Sequence, residues 1–92
     1  MLTINKEINI AVEKSVSTIV GVAVVSKYNT SKTITVKPSC GCTTSINSFT
    51  IQPNETYVNQ LTIKRVSEGY VTISYLVSGG DTYVTKINIT LK

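Results

Sequence analysis

Cys40 and Cys42 are the only cysteines of the chain, and Gly41 alone separates them in the stretch PSCGCTT at 38–44. Thiolates at that spacing can hold soft Cu(I), supply half of a tetrahedral zinc site, or close a small strained disulfide that is easily reduced. Residues i and i+2 on an extended chain point to the same side, which brings the two sulfurs near each other. Zinc needs two more ligands; with no histidine and no third cysteine, only a dimer could provide them. Lys37 stands close enough in sequence to lower a thiol pKa. The plainer reading makes both thiols small apolar groups where a strand leaves its sheet, with Gly41 allowing the kink. Cysteine's usual burial puts that structural reading first. No cofactor is expected, and Cys40 and Cys42 are the metal-ligand candidates the sequence offers.

Acid–base chemistry has little to work with. The acids are Glu7, Glu13, Glu55, Glu68 and Asp81; Glu68 and Asp81 stand beside turns and read as solvated turn residues. A thiol nucleophile would find no base other than lysine, and no glycine-rich phosphate loop occurs. An enzyme is not expected. The net charge is +4, but the lysines are scattered and Lys64-Arg65 is the one adjacent basic pair. Nucleic-acid binding needs clustered cations and stacked aromatics, so no nucleic-acid partner is expected. The most apolar run, IVGVAVV at 19–25, is too short to span a bilayer, and no membrane partner is expected. No export signal is visible ahead of it. The expected location is a virion if the source is a phage and the cytoplasm otherwise, with reduced thiols. Removal of a signal would make it periplasmic or surface-exposed instead.

The elements that must position these residues are strands. Val, Ile and Thr dominate a chain of 92 residues, and β-branched side chains suit a pleated, half-buried surface. Alternation with period two places Leu2, Ile4, Ile8, Ile10 and Val12 on one side of a first strand over 2–12. A second, over 16–27, is so apolar that a central strand covered on both sides more than its neighbours is expected, with Ile19 and Val25 breaking its parity. Ile34 and Val36, then Phe49 and Ile51, then Tyr57, Leu61 and Ile63 mark three more inward rows. Val71, Ile73, Tyr75 and Val77 follow, and Tyr83, Ile87, Ile89 and Leu91 close the series. Turns fall at YNTSK, at QPNE, where Asn54 tolerates a left-handed backbone, and at Gly79-Gly80. About seven short antiparallel strands in one domain over 1–92 predict an all-β, immunoglobulin-like β-sandwich. The Cys-Trp-Cys signature of antibody domains is absent.

Ser39-Cys40-Gly41-Cys42-Thr43, Pro53-Asn54-Glu55 and Gly69, in that order, resemble a bacterial family of immunoglobulin-like domains related to the abnormal-spindle/hydin type. In that family a turn and a short strand lead into Cys-Gly-Cys-Thr, followed by a Pro-Gly-Glu turn and a later glycine. This chain has Asn for Gly in the second turn and lacks glycine in the first, Asn29-Thr30-Ser31. The resemblance spans about 20–90 and implies the sandwich fold. The family has no agreed activity.

Tyrosines are favoured at interfaces and are the candidate contact residues of the chain. Parity places Tyr57, Tyr75 and Tyr83 with the core, leaving Tyr28 beside a turn and Tyr70 on the opposite strand face as interaction candidates. The expected role is a non-enzymatic accessory subunit bound to a protein partner in a larger assembly, in its concrete form a decoration protein on a phage capsid protein. The competing expectation is an exported domain that uses Cys40 and Cys42 for copper or disulfide exchange.

Overall fold

The computed structural model describes residues 1–39, 42–44, 46–64 and 67–92. Cys40 and Gly41, two of the three residues of Cys-Gly-Cys, lie outside the described residues, as does Arg65 of the basic pair. Among the described residues there are nine strands and no helix: β1 (Leu2–Ile4), β2 (Glu7–Val12), β3 (Thr18–Ser26), β4 (Lys32–Pro38), β5 (Cys42–Thr44), β6 (Ser48–Ile51), β7 (Thr56–Ile63), β8 (Gly69–Val77) and β9 (Thr82–Leu91). They form an immunoglobulin-like sandwich of two sheets, one ordered β1-β3-β7-β5 and the other β2-β9-β8-β4-β6. Every pairing is antiparallel except β2 with β9, which run parallel.

Two strands more than expected have distinct origins. The segment 2–12 is not one strand, because the chain crosses from one sheet to the other at Asn5-Lys6. The crossing is pinned where the Thr85 hydroxyl donates to the Asn5 carbonyl at 2.8 Å and the Lys86 N–H donates to the Lys6 carbonyl at 2.8 Å. Inward parity survives the crossing, so alternation carries no sign of it. The other addition is β5, three residues paired with the end of β7.

β3 lies inside its sheet, between β1 and β7, as its apolarity suggests. It is nonetheless covered on one face only. Val22 and Val24 are fully buried, whereas Ile19 is 69% exposed, and no described strand packs over that outer side. The parity breaks at Ile19 and Val25 are therefore outward positions, not a second buried face.

The core between the sheets is built from the predicted rows. Ile34, Ile51, Leu61, Ile63, Ile73 and Ile87 lose all solvent contact, each contributing roughly 1.5–3 kcal/mol of transfer free energy. Phe49 of β6 stacks on Tyr57 of β7 across the gap, ring centroids 4.0 Å apart. Register is held by turns whose residues fit their backbone. Gly79 and Gly80 adopt φ of 104° and 114° in the β8–β9 hairpin, and Asn54 adopts 63° before β7.

Candidate interaction surfaces

Cys42 opens β5 opposite Ile63 and is a free thiol, 6% exposed. Desolvation pushes its pKa up to about 11, away from the thiolate form that ligates metals and attacks disulfides. Among the described residues no group of three or more His, Cys, Asp or Glu stands close enough to hold a metal ion. Cys42 is thus core material, the role the structural reading gives it; Cys40 lies outside the described residues.

Beside it runs a polar thread that the sequence reading missed. Tyr75 of β8 is wholly buried, and its hydroxyl donates at 3.0 Å across the sandwich to Oδ1 of Asn59 on β7, which is also buried. Asn59 Nδ2 donates in turn to Thr44 Oγ1 at 3.2 Å, and Thr44 donates to the Ile46 carbonyl at 3.0 Å. The thread joins both sheets and anchors the short β5 and the chain just after it. Burial, then the nearby Cys42, push the Tyr75 phenol well above its ordinary range, so it remains a donor. The available signal was parity: position 59 lies in step with Tyr57, Leu61 and Ile63. Thr85 is a second buried polar residue found at an inward position.

The two tyrosines singled out as contact candidates sit in different settings. Tyr70 is 58% exposed on the outer face of the five-stranded sheet, opposite Asn88, with Lys86 Nζ 4.6 Å from its ring centroid. Tyr28 is half-buried. Its hydroxyl donates to Asp81 Oδ2 and lies 3.4 Å from the Tyr83 hydroxyl, which accepts the Leu2 N–H at 3.2 Å. Burial first, and the Asp81 bond second, raise the Tyr28 phenol above its usual range. Tyr28 therefore ties the β3–β4 loop to the β8–β9 hairpin and to β1. The fold does not bring the pair together: measured along β9, Tyr83 and Asn88 are five residues apart, about 17 Å at strand rise.

Two further surfaces stand out among the described residues. A groove of about 490 Å³ runs where β1 departs from β9, lined by Leu2, Ile4, Lys6, Tyr83 and Val84 among others. The outer face of the four-stranded sheet presents Ile19 and Val58, 69% and 53% exposed. None of the four strands in that sheet carries a charged residue, although the chain has fourteen.

No family model matches the chain, and no curated protein matches it either. Solved structures do. The ASH/PapD-like domain (PapD-like domain 7) of human CEP192 superposes with a TM-score of 0.76 at 11% identity, covering 99% of this chain and 84% of that one. SSP-19, an MSP-domain protein like family member of Caenorhabditis elegans, gives 0.74 at 8% identity, covering 92% and 94%. WR4, a C. elegans MSP family member, gives 0.73 at 10% identity, covering 98% of each chain. At such identities the likeness concerns fold: this chain has the immunoglobulin-like sandwich of MSP and PapD-like domains.

Proposed function

We propose that this MSP- and PapD-like sandwich is a protein-interaction module without catalytic activity, acting as a small accessory subunit of a larger assembly. The observation that carries the reading is the likeness along nearly the whole chain to compact sandwich domains, a kind typically used for protein–protein contacts. Two features of the chain support it. The interior is filled by side chains, so chemistry would have to sit on an exposed face, and among the described residues no cluster of three or more His, Cys, Asp or Glu stands there. Tyr70 with Lys86 offers a rigid aromatic and a cation on the open face of the five-stranded sheet, where a partner can cover both.

In its concrete form the assembly is a phage capsid or virion decorated by this chain, a version that rests on the texture of the sequence and on fold analogy. Size fractionation of source material, followed by intact-mass spectrometry, tests it. The expected result is co-migration with large particles at a fixed ratio, with both thiols free and unmodified. Co-migration with a complex other than a virion keeps the module and discards the capsid. A small free species carrying copper, or lighter by two hydrogens, would overturn the reading in favour of the cysteines.

A further inference from the structure

We infer that the outer face of the four-stranded sheet is a self-association surface, where two copies of this chain meet face to face. Charge favours this face over the other. Each copy carries +4, and like-charged chains can approach only where their charges are held apart. β1, β3, β5 and β7 contain no charged residue at all, while Glu7, Lys32, Lys37 and Lys86 lie in strands of the other sheet. Sheets pack about 10 Å apart, so meeting through this face leaves those four charges about a Debye length or more from the contact, and the nearest cations, the exposed Lys27 and Lys64, stand at its two ends just beyond β3 and β7.

Shape gives the second argument, through the β3–β7 register. Ile19 stands opposite Thr62, Gly21 opposite Gln60 and Ala23 opposite Val58. A two-fold axis lying in the interface, parallel to the strands and midway between them, lays β3 of one copy over β7 of the other. Each outward residue then faces the position its own cross-strand neighbour occupies. Large meets small at each level: Ile19 on Thr62 of the second copy, Gln60 over Gly21, Val58 over Ala23. The notch at Gly21 is partly filled, since a Val58 methyl leans over it, 3.0 Å from where a Cβ would stand.

Size fixes the strength. Half the residues of these strands point outward, roughly a dozen, against roughly 20–30 a side in a stable interface. The dimer is therefore weak and concentration-dependent, dissociating in the range of about 10 µM to 1 mM. It is independent of the accessory-subunit reading, and its failure would leave that reading intact.

Sedimentation equilibrium from about 20 µM to 2 mM tests it on the purified chain. The mass should rise above 10.0 kDa with concentration and should not fall as salt is added, since screening relieves repulsion between the cations. Val58→Lys and Ile19→Lys should each weaken association at least tenfold, and Val84→Lys, at an exposed site on the other sheet, should leave it unchanged. Chemical shifts of the unmodified chain on dilution provide a variant-free readout and should move in β3 and β7. A wild-type monomer at 2 mM, a Val58→Lys variant as dimeric as wild type, or shifts confined to β1, β9 and the groove would each overturn the proposal.

Discussion

Removing the Tyr75 hydroxyl by Tyr75→Phe isolates the energetic role of the buried polar thread. Tyr75 and Asn59 have no more than 1% of their surface in solvent, so water cannot replace the lost donor. The Asn59 carbonyl oxygen would be left without its 3.0 Å partner, a desolvation penalty of about 1–3 kcal/mol. For a domain this size each kcal/mol moves Tm by about 4–8 °C, so a mid-range loss of about 2 kcal/mol lowers Tm by about 8–16 °C. Asn59→Leu strands the other half of the pair and should destabilise comparably. The double variant leaves neither group without a partner and should recover most of the loss, with a coupling energy of about 0.5–3 kcal/mol. Thr44 keeps its bond to the Ile46 carbonyl in every variant, which makes the cycle clean on that side. Denaturant unfolding and calorimetry of all four chains measure it. Additive losses, or a Tyr75→Phe protein melting within about 2 °C of wild type, would refute the reasoning.

The remaining predictions concern titration and the two other tyrosines. Cys42 has a folded pKa of about 11 against an ordinary 9.0, so the native chain holds the proton longer than the unfolded one. Its contribution is complete below pH 9 and is lost as pH rises towards 11, worth about 2–3 kcal/mol over the two units. Cys42→Ala should flatten that part of the alkaline stability profile, and a profile unchanged by the substitution would contradict the burial. Native Cys42 should also resist thiol reagents at pH 8 until denaturant is added, as read by mass spectrometry of the modified residue. Tyr28→Phe should cost about 0.5–1.5 kcal/mol in denaturant unfolding, because the Asp81 carboxylate it releases is exposed and can turn to water. Tyr70→Ala should lose only about 0.5–1 kcal/mol, the worth of an exposed cation–π contact, while weakening capture of any partner that covers it.

The inward rows were legible because residues such as Ile34, Val36, Ile73 and Val77 alternate without interruption, and parity is the property a half-buried strand imposes on its sequence. Parity places Asn59 inward as well, but a polar residue at an inward position looks like an interruption until its partner across the sheets is known. Tyr75 is that partner, and nothing local to either residue links them. The crossing at Asn5-Lys6 was hidden for the opposite reason: the pattern continues through it unbroken. Ile19 misled by composition, because an apolar outward residue in an uncharged strand mimics two-sided burial. Of the candidate contact residues, the exposure of Tyr70 follows from strand parity. The bonding of Tyr28 depends on a hairpin more than fifty residues away, at |i−j| of 53 for Asp81.

The parallel pairing of β2 with β9 has a mechanical consequence. The first long strand and the last run side by side in the same direction, held in register from Glu7–Lys86 to Val12–Leu91. Tension applied through the two ends of the chain draws these strands past each other along their length. The bonds between them, including Lys86 N–H to the Lys6 carbonyl and Lys92 N–H to the Val12 carbonyl, are then loaded together in shear instead of unzipping one by one. The three-residue β1 would peel from β3 early, but the body of the sandwich, 42 Å along its long axis, would hold until the whole β2–β9 ladder gave way at once. A domain clamped at both ends would behave as a stiff link, yielding abruptly and not by gradual extension.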